Sequence, residues 1–300
     1  MSKIKIICTS TGCIEYAPER YHNLGIDILR VHVFFEGKEY LDGLDLDPVS
    51  FYQRLETIEN PKDNLPYTGM PSTEEIRACF DKAIAEGCDE AIAFSISAAL
   101  GGTYNQICLI AKEYEDKLKI HVVDTKITSF GEGMLAIKAA EFAAKGMSSE
   151  EILKEIRWIM KHQLFMGVVG KLDYLIYNGR LKGGKAFMGQ MLGICPVLHF
   201  NPQGEAAAME SVRTQKKALA RACEIIKEKI GDRDTADYQL WHVYTGPSLL
   251  QQLLQIEPKY DVKTNHEDVI MSPVSGSHNG PWLAGYGIVF NRRADEPLED

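Results

Sequence analysis

Glu90-Ala91-Ile92-Ala93-Phe94-Ser95-Ile96-Ser97-Ala98-Ala99-Leu100-Gly101-Gly102-Thr103-Tyr104 is the stretch that decides the fold. Ala91 to Phe94 is a short apolar run that reads as a buried strand, and a helical pattern begins at Thr103. Between them lies a polar cradle at a helix start. Unpaired N–H groups of a first helical turn, small hydroxyl side chains and two glycines that permit close approach suit an anionic ligand group. The loop has no lysine and lacks the Gly-Lys-Ser/Thr ending that holds nucleotide phosphates, so a carboxylate fits it better. Ordinary helix capping by Ser95, Ser97 and Thr103 is the alternative reading.

Working outward, the same strand-then-helix alternation repeats. Lys3 to Cys8 reads as a strand opening into Thr9-Ser10-Thr11-Gly12, and Asp27 to Phe35 as another that ends at Glu36-Gly37. Ser72-Thr73-Glu74-Glu75 is a capping box that starts a helix running to about Gly87. Ile120 to Val123 is a strand ending in Asp124, with a helix expected after Gly131-Glu132-Gly133. Repeated βα units of this kind build a largely parallel sheet.

A second capping box, Ser148 to Glu151, starts a helix with Ile152, Ile156, Ile159 and Met160 on one face, a candidate bridge between domains. Beyond it, strands are expected at Phe165 to Val169, Pro196 to Phe200, Gln239 to Tyr244 and Val269 to Met271. Helices are expected from Gln215 to Lys229 and near Pro247 to Gln255. The expected fold is therefore α/β with two domains: an N-terminal βα-repeat domain over 1–160 and a C-terminal mixed α+β domain over 161–300, with the ligand between them.

Composition sets bounds on function. The chain has 300 residues, 45% of them hydrophobic, enough for a substantial core. Its 42 acidic and 33 basic residues give a formal charge of −9, which disfavours binding driven by phosphate neutralisation, so no nucleic-acid partner is expected. Seven scattered cysteines without a Cys-x-x-Cys pair indicate neither a disulfide framework nor a zinc site. His242, His266 and His278 lack ligand spacing, and no metal is expected. The apolar run from Ile4 to Cys8 is too short for a secretory segment and no long uncharged stretch follows, so a cytoplasmic protein without a membrane span is expected.

Three further constellations could join the cradle. Pro66 to Ser72 places Thr68 near a helix start. Tyr177-Asn178-Gly179-Arg180-Leu181 is a turn that sets one guanidinium, whose fork matches a carboxylate or phosphate, between apolar segments. Ser275 to Pro281 combines His278 with small residues. Each has a bland alternative as a turn or cap. A serine-dependent acyl hydrolase or transferase using Ser97 and His278 is the competing enzyme reading, although no Gly-x-Ser-x-Gly elbow accompanies it.

Taken in order, these segments resemble the DegV family of bacterial fatty-acid-binding proteins, which includes the lipid-binding subunit of fatty acid kinase. Val33 to Gly43 is similar to the family's x-F-x-G-x-E-Y-x-D-G pattern, Thr68 to Ser72 to its T-S-Q-P-S loop, and Ile96 to Tyr104 to its I-S-S-x-L-S-G-T-Y segment. Gly179-Arg180-Leu181, Cys195 to Leu198, Val212 to Ala218 and His278 to Trp282 resemble its G-R-I turn, x-K-P-I-L strand, V-R-x-x-K-K-A element and H-x-G-P-G segment. The chain departs from the family where Thr9 replaces the Asp of D-S-T, and where Gly69, Met70, Ala98, Gly101 and Trp282 replace Ser, Gln, two serines and a glycine.

The resemblance implies a long-chain fatty acid in an apolar tunnel, with its carboxylate near Thr68, Ser97, Arg180 and His278 and supported by Ser95, Thr103 and Asn279. It implies a binding protein that is not itself an enzyme and carries no cofactor. The protein would present the carboxylate to a separate ATP-binding kinase subunit for acyl phosphate formation, and the basic cluster Arg213, Lys216 and Lys217 is either a contact for an acidic partner surface or a solvated helix face.

Overall fold

The computed structural model describes residues 3–59, 64–183, 194–263 and 267–298. Its first half contains strands β1 (Ile4–Thr9), β2 (Asp27–Leu29), β3 (His32–Phe35) and β4 (Lys38–Leu41), helix α1 (Pro48–Glu56), β5 (Tyr67–Gly69), α2 (Thr73–Ala85), β6 (Glu90–Ser95), α3 (Thr103–Ala111) and β7 (Lys119–Asp124). Helices α4 (Phe130–Ala144) and α5 (Ser149–His162) lead into β8 (Leu164–Val169), α6 (Asp173–Tyr177), β9 (Cys195–Phe200), β10 (Ala206–Val212) and α7 (Gln215–Ile230). The chain finishes with β11 (Tyr238–Tyr244), α8 (Pro247–Ile256), β12 (Glu267–Ile270), α9 (Pro273–Asn279) and β13 (Leu283–Phe290).

These strands form a four-stranded sheet in the order β2-β1-β6-β7, a six-stranded sheet β10-β9-β8-β13-β11-β12 and a three-stranded sheet β4-β3-β5. The first is parallel throughout, as the βα repeats require, while the second is antiparallel except for the β11/β12 pair. The α/β architecture with a parallel N-terminal sheet and a mixed C-terminal one is thus as the sequence led us to expect. The division expected at 160/161 falls inside α5.

Both capping boxes form. The Ser72 hydroxyl accepts from the Glu75 amide while Glu75 reaches back, and Ser148 and Glu151 do the same. Two local expectations change. Asp27 to Phe35 is not one strand: β2 pairs with β1, and after Arg30 and Val31 the chain leaves for a different sheet, where β3 pairs with β4 and β5. Arg30 fixes this crossing by pairing with Glu15 and donating to the Asp42 carbonyl at 2.8 Å.

The second change concerns α4, which starts at Phe130 and contains Gly131 and Gly133 rather than following them. From Phe130 to Ala140 this helix is buried on all sides, packed between β1 and β13, and its apolar composition matches that position. A Cβ at Gly133 would lie 2.1 Å from the Gly12 carbonyl oxygen, so the glycine serves close packing. Gly133→Ala is expected to destabilise the fold by about 1–3 kcal/mol through overpacking, against at most ~1 kcal/mol gained in helix propensity. A urea melt checks this. An unchanged or raised midpoint would mean that α4 and the Gly12 loop do not meet so closely.

One apolar cluster joins residues of both large sheets through α4, including Cys8, Phe94, Met134, Val168, Trp241 and Ile288. The C-terminal ends of β1, β6 and β7 therefore face a fixed neighbour. That is the edge of a parallel sheet at which ligands are usually held.

Candidate functional site

A cavity of about 140 Å³ lies where the three sheets approach one another. Its walls come from the segments that follow β1 and β6, from the turn after β7, and from β5, α6, β10 and α9. Thr68, Thr103, Arg180, His278 and Asn279 all line it. The sequence spreads these residues over more than two hundred positions, and the fold brings them to one chamber.

Each arrives by a local device. Thr68 sits on the edge strand β5, paired with Val33 of β3. Arg180 follows the turn that ends α6, where Gly179 takes the left-handed conformation (φ 66°) that favours glycine. His278 and Asn279 are the last residues of α9, which ends at Gly280 with φ 72°. A Cβ there would also press on the Tyr174 ring at 2.6 Å.

Thr68 Oγ1 and His278 Nε2 share a hydrogen bond of 3.0 Å. Burial, reinforced by the Arg180 charge, lowers the His278 pKa to about 4, so the ring is neutral at pH 7. When Nε2 accepts from the Thr68 hydroxyl, Nδ1 carries the proton. Nδ1 is buried and has no partner among the described residues. The Arg180 guanidinium donates to the Asn178 carbonyl at 2.9 Å and forms no ion pair with any described carboxylate. Asn279 donates to Ser275 O at 2.9 Å. Among the described residues, the chamber therefore holds the Arg180 cation and a neutral imidazole with an N–H to spare, an arrangement suited to an anion.

The cradle is divided. Its first part is occupied by the protein itself: Ser97 N donates to Ile127 O at 2.9 Å, Ala98 N to Asp124 Oδ1 at 3.0 Å and Leu100 N to Ser97 O at 2.9 Å. Ser95 donates to Ile96 O at 3.2 Å and lies outside the cavity lining. Ser97 is fully buried, donates its hydroxyl to Gly204 O at 2.8 Å and is likewise absent from the lining. This contact ties the β9–β10 turn down onto the parallel sheet. No hydrogen bond joins Ser97 to His278 among the described residues. Ile96 and the far end of the cradle, Leu100 to Thr103, face the chamber, and Gly102 precedes α3 without any side-chain cap.

Behind the chamber is a buried polar knot. Thr11, which lines the cavity, donates to Glu132 Oε2 at 2.6 Å and shares a 2.5 Å hydrogen bond with Thr9, which also bonds Glu132. Burial raises the Glu132 pKa to about 8, against the lowering effect of the hydroxyls, and keeps the carboxyl largely protonated at neutral pH. An anion in the chamber thus meets little repulsion from it.

A smaller apolar chamber of about 40 Å³ adjoins the first and shares Thr128, Leu175, Phe200, Ala206 and Asn279 with it. Leu198, Met271 and Leu283 extend its wall along the six-stranded sheet. The Phe165 and Phe200 rings, 5.9 Å apart, close its far side and separate it from an open groove. A polar chamber leading to an apolar one matches an amphiphile with an anionic head.

Among the substituted positions, Gly69, Met70 and Gly101 line the cavity. Ala98 and Trp282 do not, and Trp282 lies under the Lys171 ammonium, 4.0 Å from its ring centroid. Arg213, Lys216 and Lys217 are exposed around the start of α7. His242 is a core residue bonded to Glu257 and Asp268, and His266 lies outside the described residues. No described helix is long and apolar enough to cross a membrane.

Thr11, Thr128 and Ser275 were not singled out as site residues from the sequence. A signal was available for the first two, because both follow the C-terminal end of a parallel strand, as the cradle itself does.

Comparisons with known proteins agree with this architecture. A family model described as "Uncharacterised protein, DegV family" matches residues 3–291. A DegV domain-containing protein of Listeria innocua is 31% identical over 284 residues, covering 94% of this chain and 97% of its own. Among solved structures, a fatty-acid-binding DegV family protein from Streptococcus agalactiae superposes with a TM-score of 0.87 at 30% identity, covering 97% of this chain and 100% of the other. A Thermus thermophilus DegV family protein, described by its fatty acid binding, gives a TM-score of 0.84 at 25% identity over 96% of this chain and 99% of the other.

Proposed function

We propose that this chain, which belongs to the DegV family, binds a long-chain fatty acid, with the carboxylate in the polar chamber and the alkyl chain in the apolar passage. The observation that carries this reading is the Arg180 guanidinium, without a carboxylate partner among the described residues, beside a neutral His278 in a chamber that adjoins an apolar passage. Similarity to two solved fatty-acid-binding relatives supports it.

Magnitudes divide the work. Each methylene buried in the passage contributes ~0.8 kcal/mol and a hydrogen bond to a charged group about 1.5–3 kcal/mol, so about four buried methylenes already match one head-group contact. The passage sets affinity. Arg180, His278 and Thr68 orient the head and select an acid over an uncharged lipid, because a desolvated carboxylate without partners is costly.

In this reading the protein is the lipid-presenting subunit for a separate ATP-binding kinase, and the exposed Arg213, Lys216 and Lys217 meet an acidic surface of that partner. The chain's lack of a recognisable nucleotide motif fits that division of labour.

The test is mass spectrometry of lipid extracted from the purified protein, followed by titration with added acids. A bound long-chain acid is expected. Recovery of no lipid, together with no uptake of added palmitate or oleate, would overturn the reading. Arg180→Met is expected to weaken acid binding by about 1.5–3 kcal/mol, roughly 10- to 100-fold, with the matched long-chain alcohol much less affected. Equal losses for acid and alcohol would remove Arg180 from the head-group site.

A further inference from the structure

The chamber contains hydroxyls with no assigned use. Thr128 is 6% exposed and Ser275 5% exposed, and both line the cavity. Neither Thr128 Oγ1 nor Ser275 Oγ has a hydrogen-bond partner among the described residues. Buried hydroxyls are normally paired, and leaving one unpaired costs free energy. Of the other lining hydroxyls, Thr11 is bonded to Glu132 and Thr68 to His278, while Thr103, the first residue of α3, is not among the buried unpaired ones. Elsewhere on the wall, Gly101 stands where the resembled family loop carries a serine.

We propose that the Thr128 hydroxyl, assisted by Ser275, donates to the ligand head group and supplies a contact that Gly101 cannot make. This rests on the fatty-acid reading of the site. Thr128 is placed for the role because it borders both the polar and the apolar chamber, where the head of an amphiphile must end and its alkyl chain begin. Its backbone is held there at a cost. The neighbouring Ser129 adopts φ 57° and ψ −155°, a conformation rarely taken by residues other than glycine, and Lys126 on the other side also has a positive φ of 61°. The strained turn directs a hydroxyl into the chamber from the β7 side, whereas the family's serine loop would do so from the β6 side.

The experiment measures affinity for palmitate and for hexadecanol with wild type, Thr128→Val, Thr128→Ser and Ser275→Ala. Thr128→Val keeps the branched shape and removes only the hydroxyl. It is expected to weaken palmitate binding about 10- to 100-fold, to change hexadecanol severalfold at most, and to leave the melting temperature of the empty protein unchanged or raised. Thr128→Ser should restore acid binding, and Ser275→Ala should cause a smaller loss confined to the acid. Unchanged palmitate affinity in Thr128→Val would overturn the inference while leaving the fatty-acid reading intact. Equal loss for acid and alcohol would also overturn it, making Thr128 a packing residue. A wild type that takes up neither lipid would overturn the fatty-acid reading, and this inference with it.

Discussion

Ala206→Trp is expected to abolish retention of a long-chain acid while leaving the protein folded. Ala206 opens β10, pairs with Phe200 of β9 and lines both the polar and the apolar chamber. Ala206 is 9% exposed and its side chain borders the unfilled space of both chambers. An indole there enters the space that an alkyl chain would otherwise occupy. Each methylene excluded from the apolar chamber costs about 0.8 kcal/mol of binding, and excluding about six lowers affinity by roughly 5 kcal/mol, more than a thousandfold. Mass spectrometry of the extracted ligand should find no lipid, or acids shifted to shorter chains. Circular dichroism and thermal melts should match wild type. If the variant retains the same long-chain acid, the alkyl chain does not run past Ala206 and the apolar passage lies elsewhere.

What the sequence disclosed and what it hid separate by the range of the interactions involved. The two capping boxes were legible because Ser72 with Glu75, and Ser148 with Glu151, satisfy each other within one helical turn. β6 was legible because a central strand of a parallel sheet reads as a continuous apolar run, and β7 because its β-branched Ile120, Val122 and Val123 end at Asp124. β13, which lies inside the six-stranded sheet between β8 and β11, was hidden by its glycines. Gly285 admits the Met166 carbonyl and Gly287 admits the Trp241 ring, each 2.1 Å from where a Cβ would stand. Neither requirement is visible within Leu283 to Phe290. β10 was hidden because its Ala206-Ala207-Ala208 start has weak strand propensity. Gly133 looked like punctuation but answers a contact with Gly12 that only the folded chain creates.

The site follows the same rule. Thr68, Arg180 and His278 were each marked by a polar side chain set in a turn or near a helix start, the resemblance of ordered motifs joined them to one site, and the fold gathers all three around one cavity. Ser97 belonged to the most informative stretch, yet its hydroxyl is used to dock the β9–β10 turn through Gly204, a partner 107 positions away. The cradle's polar groups from Ser95 to Ala99 are thus used within the protein, while Ile96 and Leu100 to Thr103 line the cavity.

Stability should fall as pH rises from about 6.5 to 9, and His242→Leu should remove most of that slope. His242 is 1% exposed; its Nδ1 lies 2.7 Å from Asp268 Oδ1 and its Nε2 2.9 Å from Glu257 Oε1. Glu257 also accepts from the Tyr286 hydroxyl at 2.8 Å. Burial alone would lower the imidazole pKa, but the hydrogen bonds and charges of Asp268 and Glu257 outweigh it and raise the value to about 9. A group whose folded pKa lies above its unfolded value of 6.5 stabilises fully below that pH and loses its contribution as the pH passes the folded value. The loss amounts to roughly 3 kcal/mol at about 1.36 kcal/mol per pKa unit.

Glu132, raised to about 8 by burial, binds a proton in the folded state that the unfolded chain has already released, so it adds a loss of the same sign. Comparing wild type with His242→Leu cancels that shared part. The substitution should also cost about 3–5 kcal/mol near neutral pH, because it leaves the buried Glu257 without its cation. Asp268, whose side chain is 41% exposed, remains solvated and contributes little to that cost. Urea melts at intervals from pH 6 to 9.5 read both effects. A wild type with flat stability over this range, or a variant that keeps the full wild-type slope, would show that the imidazole is not held as a cation between the two carboxylates.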